Sequence, residues 1–168
     1  MSRGQSTECS MTTTRKMGNR SKVFLTKAVA SVFFIGHIPV APGTFGTLAA
    51  VAFVWGVKPE AASMLIISAV LFLAGTASSH YAETFYGSRD SGHIVIDEFV
   101  GYLVSIISLP QTAGYIIAAF VIFRFFDIVK PPPIKNVERK LHGGLGVMMD
   151  DVLAGIATNM VLQAWKLV

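Results

Sequence analysis

The chain has 168 residues, 52% of them apolar and 14% charged, against roughly 25% charged in an ordinary soluble domain. It is long enough for one domain with a single core, and with Cys9 as its one cysteine it cannot form an intramolecular disulfide. The net charge of +4 is local: residues 1–27 carry six cations against Glu8, whereas the remainder has eight cations and nine acids. Its body therefore lacks the basic face that nucleic-acid binding requires.

Residues 1–22 are rich in Ser, Thr and Arg without apolar periodicity, which predicts a disordered basic tail. Residues 23–168 form the domain. Cations ahead of the first apolar run place the N-terminus in the cytoplasm, beside anionic lipid. Gly36-His37 and Pro39 break that run and no small-residue cleavage site is evident, so the segment reads as retained rather than as a signal peptide. Cys9 and Arg15 have the C-x5-R spacing of a thiolate phosphate loop. Without the strand, glycines and helix such a loop needs, the pattern reads as coincidence.

A first helix is expected from Val23 to about Ile35. The following segment, His37 to Thr47, holds two prolines and two glycines and predicts a rigid turn, with Thr47 capping a helix from Leu48 to about Val57. Pro59 ends that segment, and Ala61 to about Tyr86 makes the next helix. A polar loop over 87–92 leads to a helix from about Ile96 to Leu109, where Pro110 intervenes. A further helix runs from about Ala113 to Val129 and stops before Pro131-Pro132-Pro133. A polar connection over 134–146 precedes a last helix from about Met148 to Trp165. The uncharged stretches 28–57, 61–82 and 99–123 each exceed the ~18–20 residues of a spanning helix. The expected fold is thus all-α, a compact bundle of five to six apolar helices that is membrane-embedded or membrane-associated. A soluble all-α domain is the alternative.

Acidic residues cluster at Asp97-Glu98, Asp127 and Asp150-Asp151, inside or beside apolar stretches where ionised carboxylates are costly. Asp97 is followed at helical spacing by Gly101, Ser105 and Ser108, and Asp151 by Gly155 and, less regularly, Thr158 and Asn159. Small residues let helices approach closely, so these two seams can bring Asp97 and Asp151 together. The plainer alternative is that Asp97 and Asp150 only cap helices. Capping, however, needs one acid per helix and both sites have two.

Arg124, Asp127 and Lys130 recur every three residues and share one side of a helix, within ~120° of arc. An Arg124–Asp127 ion pair would explain two of them and leave the third. Oxygen ligands without a Cys/His cluster favour a hard cation, Mg²⁺ above Mn²⁺ or Ca²⁺, with Arg124 and Lys130 holding a phosphate. The glycine turns, Gly43-Thr44 in the first and Gly143-Gly144 in the second, can present backbone N–H groups to an anion. His142 fits a general acid, a phosphate donor or a structural residue equally well.

The strings APGTFGT, IDEFVGYLVS, FRFFDIVKPPPI and HGGLGVMMDDVLAG, in this order, resemble the bacterial phosphatidylglycerophosphatase A family over about residues 24–165. The resemblance implies an all-helical, Mg²⁺-dependent enzyme of the bacterial inner membrane. Its substrate would be the phospholipid phosphatidylglycerophosphate, hydrolysed to phosphatidylglycerol and inorganic phosphate. Asp97, Glu98, Arg124, Asp127, Lys130, Asp150 and Asp151 match acidic or basic positions of the family pattern. Glu138 stands where Asp is common in relatives. The expected assignment has Asp97, Asp127, Asp150 and Asp151 as metal ligands, with Glu98 as a further ligand or base and His142 beside them. Arg124, Lys130, Gly43, Thr44, Gly143 and Gly144 take the phosphate, and the active site faces the cytoplasm. An ion-coupled carrier subunit and a catalytically silent family member are the rival readings; the pattern does not speak to oligomeric state.

Overall fold

The computed structural model of the chain describes residues 41–86, 95–132, 134, 141 and 144–167, with the backbone alone over 79–86. The tail, the expected helix over 23–35, His142, Gly143 and Glu138 lie outside the described residues. Five helices make up the described structure: α1 (Pro42–Val57), α2 (Ala61–Tyr86), α3 (Ile96–Ile106), α4 (Ala113–Val129) and α5 (Gly144–Lys166). The all-α expectation holds, and α2 and α4 have the predicted bounds.

Two expected turns are helical instead. Pro42 occupies the first position of α1, where its missing N–H and fixed φ do no harm. The helix therefore begins at the proline and takes in Gly43, Thr44 and Gly46. Thr47 is not a cap: its Oγ1 donates to the carbonyl of Gly43, one turn back, at 2.9 Å. At the other glycine cluster, Gly144 and Gly146 lie within α5. In both places glycine serves close packing, since a Cβ on Gly46 would lie 2.9 Å from Val95, and one on Gly146 2.8 Å from the carbonyl oxygen of Leu141. The third difference is the end of α3, at Ile106 rather than Leu109, where Ser108 takes a left-handed φ of 60°.

The short α3 is central and packs against each of the other four helices. Its closest neighbour is α5. A Cβ on Gly155 would run into the carbonyl oxygen of Gly101, and one on Gly101 would lie 2.6 Å from the carbonyl oxygen of Asp151 and 2.7 Å from the ring of Phe123. The two small-residue seams thus meet, backbone against backbone. Tyr102 and Phe123 fill the core beside them with an edge-on ring contact, and Tyr102 Oη donates to the carbonyl of Ile116 at 3.1 Å.

Many large apolar side chains face outward. Leu65, Ile66, Val70 and Leu73 on α2, Ile117, Val121 and Ile128 on α4, and Met160 and Trp165 on α5 are all exposed. Two helices, α2 over Ala61–Ser78 and α5, are long and apolar enough to cross a membrane. Only 17% of the α2 stretch is buried inside the protein. A soluble protein's core helix would be mostly covered, so α2 is suited to an apolar surrounding.

Candidate active site

One end of the bundle gathers the charged residues. Gly43 comes from the first turn of α1, Asp97 and Glu98 from the first turn of α3, Arg124 and Asp127 from the last turns of α4, and Asp150 and Asp151 from the second turn of α5. Lys130 follows α4 directly. It does not continue the helical face as its spacing suggested: the chain leaves α4 at Lys130 in the left-handed region, φ 45°. Its ammonium forms an ion pair with Asp150 on α5.

Asp97, Glu98 and Asp151 each offer a carboxylate oxygen within 4.8 Å of the other two. Asp97 and Asp151 are buried, and the Oε2 atom of half-buried Glu98 is enclosed without a hydrogen-bond partner among the described residues. Burial is the main force holding the Asp97 carboxyl well above the ordinary carboxylate range, with Glu98 and then Asp151 and Asp150 adding like charge. Glu98 is raised chiefly by burial as well; a hydrogen bond with Asp97 and the charge of Arg124 favour its ionised form, while Asp127 opposes it. Asp127 is also a near neighbour of Asp151. Crowded anions of this kind, lacking a full set of donors, are stabilised by a cation among them. An all-oxygen donor set with an enclosed, unpartnered oxygen fits a hard divalent ion.

Capping does not account for these acids. The N-cap of α3 is Val95, with no side-chain cap hydrogen bond, and Asp97 Oδ1 accepts from the N–H of its neighbour Glu98 at 3.0 Å. Asp150 and Asp151 lie beyond the first turn of α5 and cannot cap it. The plain account of Arg124 does hold in part, since its Nη1 donates to Asp127 Oδ2 at 2.5 Å. That nitrogen also lies 3.3 Å from where a Gly43 Cβ would be, and Glu98 Oε1 lies closer still. Gly43 is therefore where α1 touches both the acidic trio and the Arg124 pair. Thr44, half-buried, spends its N–H on the carbonyl of Ala41 at 3.0 Å. Gly144 starts α5 and is buried. The contact of Gly46 with Val95, which seats α1 against the start of α3, had no sequence signal beyond its small size.

The phosphatidylglycerophosphatase A profile matches residues 28–166, nearly the whole chain. The chain belongs to the phosphatidylglycerophosphatase A family. Among similar relatives, a phosphatidylglycerophosphatase A of Haemophilus influenzae is 41% identical over 80% of this chain and 86% of its own. Another, of Escherichia coli, is 36% identical over 77% of each chain. A Bacteroides thetaiotaomicron relative described as a putative phosphatidylinositol-3-phosphatase is 38% identical over 83% of this chain and 92% of its own. No solved structure matches the chain. As a member of the phosphatidylglycerophosphatase A family the protein is an enzyme, a phosphatase. Among the described residues, the charged positions within the motifs through which the family was recognised, Asp97, Glu98, Arg124, Asp127, Lys130, Asp150 and Asp151, lie at this one end of the bundle.

Proposed function

We propose that the protein is a Mg²⁺-dependent lipid phosphatase that hydrolyses phosphatidylglycerophosphate to phosphatidylglycerol and inorganic phosphate. It would act at the cytoplasmic face of the bacterial inner membrane. Family membership supports the reaction; the observation that carries the metal is the trio Asp97, Glu98 and Asp151 with its enclosed, unpartnered oxygen. The apolar outer surface and the two helices of spanning length support the membrane. The basic tail over 1–27 supports a cytoplasmic N-terminus.

Asp97, Glu98 and Asp151 would hold the Mg²⁺, which supplies charge neutralisation and Lewis-acid polarisation of the phosphoryl group. Arg124 and Lys130 start paired with Asp127 and Asp150. Both are partly exposed, so an incoming phosphomonoester can draw them to its own oxygens, Arg124 with a two-pronged grip. That exchange would leave the Asp127 carboxylate beside the phosphoryl group. It can then take the proton of attacking water, and water entering the headgroup level can protonate the departing glycerol oxygen. The burial of Asp97 and Asp151 themselves keeps solvent from most of their surface.

Release of inorganic phosphate by the purified protein in detergent micelles tests this directly. Turnover of phosphatidylglycerophosphate should vanish with excess chelator and return with Mg²⁺. Full activity in chelator would remove the metal from the account. The Bacteroides relative makes phosphatidylinositol-3-phosphate the competing substrate to assay alongside, and a preference for it would overturn the substrate assignment while keeping the chemistry.

A further inference from the structure

Among the described residues of the site, Gly43 is the one whose value lies in having no side chain. Its backbone is ordinary right-handed helix, so no torsional demand calls for glycine there, and alanine is the better helix former. The demand is for space. A Cβ built on Gly43 would overlap Glu98 Oε1, lie 3.0 Å from Glu98 Cδ and 3.3 Å from Arg124 Nη1. The carbonyl of Gly43 is tied down by Thr47 Oγ1, which keeps this part of α1 in place. Glu98 Oε2 is enclosed, and a carboxylate oxygen of Glu98 lies within 4.8 Å of one on Asp97 and one on Asp151.

We infer that Gly43 is a positioning residue: the gap left by its missing Cβ seats the Glu98 carboxylate, holding it in register with Asp97 and Asp151 for cation binding. The inference rests on the reading of Glu98 as a ligand given above. The nature of the overlap gives it a distinctive consequence. At Gly101 and Gly155 an added Cβ meets backbone, which cannot move without parting the helices. At Gly43 it meets the far end of a flexible side chain, so Gly43→Ala leaves the helices packed and moves Glu98 instead. The cost falls on cation binding rather than on folding.

The test is a coupling measurement on the full chain in detergent, with Gly43→Ala, Glu98→Asp and the double variant. Two quantities are read: Mn²⁺ affinity by electron paramagnetic resonance, and kcat and KM for phosphate release. Gly43→Ala should weaken Mn²⁺ binding about tenfold or more and lower kcat, while its unfolding midpoint stays near that of the parent. Glu98→Asp shortens the side chain and withdraws its carboxylate from the methyl group that Gly43→Ala introduces. Adding Gly43→Ala to Glu98→Asp should therefore change Mn²⁺ affinity by less than about threefold. Parental Mn²⁺ affinity in Gly43→Ala, or an equal penalty in both backgrounds, would overturn the inference. If Gly43→Ala alone fails to fold, rescue by Glu98→Asp supports it and failure of the double variant overturns it. A parent protein that shows this coupling in Mn²⁺ binding yet releases no phosphate would refute the proposed reaction and leave the role of Gly43 standing.

Discussion

The two ends of α3 bury polar groups in opposite ways. At its C-terminal end, side chains from α5 are spent on backbone. Asn159 Nδ2 donates to the carbonyls of Ser105 and Ile107 at 3.1 and 2.9 Å, with Gln163 Nε2 and Lys166 Nζ reaching Ile107 and Ser108 at 3.4 Å. These are the carbonyls a helix end leaves without partners, and the donors are neutral or lie at the surface. At the N-terminal end, Asp97 and Glu98 face another carboxylate across the same pair of helices, and Glu98 Oε2 has no donor among the described residues. Buried polarity that is satisfied from within maintains a fold. Buried polarity left without a donor is a cost to the fold, and that cost supports the proposed cation site.

The comparison predicts mirror-image mutants. Asp97→Asn or Asp151→Asn should lower turnover by roughly a thousandfold or more, because an amide cannot replace a charged ligand. Thermal unfolding in chelator should be unchanged or shifted upward, since a crowded buried charge has gone; a large drop in melting temperature would break the distinction. Asp127→Asn should be nearly as damaging, and the Asp127→Asn/Asp151→Asn double variant scarcely worse than either single one, as members of one catalytic unit are far from additive. Arg124→Lys, assayed by kcat/KM, should cost less than loss of a ligand but clearly more than loss of a surface charge, because lysine lacks the two-pronged grip. At the other end, Asn159→Ala should cost about 1–3 kcal/mol of stability by denaturant unfolding, with turnover per folded molecule within a factor of about three. Smallest of all, Cys9→Ser should leave turnover untouched; a dead Cys9→Ser enzyme would mean that the C-x5-R spacing is chemistry after all.

The pattern of legibility follows from what each signal depends on. The bounds of α2 and α4 were readable because prolines and a long apolar run act locally. The start of α1 was misread because Pro-Gly marks a turn on average, whereas Pro42 at a first helical position and Gly43 under a carboxylate serve packing. The joining of Asp97 to Asp151 was readable through two seams, each carrying a small residue one turn from its acid. Helical periodicity cannot anticipate the left-handed exit of Lys130 ahead of Pro131, yet its ammonium still reaches Asp150 at the end of the bundle that holds Arg124 and Asp127. The resemblance put Gly43 in one site with Glu98 and Arg124, but not as the space that Glu98 fills, because nothing in a single sequence says which side chain lies beside a glycine. Asn159 carried a faint signal as a polar residue near the seam, with no indication that its task was structural.

The central claim is that the carboxylates at the N-terminal end of α3 hold a divalent cation whereas the polar residues at its other end hold only the fold. Mn²⁺ titration of purified protein, followed by electron paramagnetic resonance, puts both halves on one axis. The parent and Asn159→Ala should bind Mn²⁺ with the same affinity, and Asp97→Asn and Asp151→Asn should each lose it. Parental Mn²⁺ affinity in both aspartate variants would contradict the account.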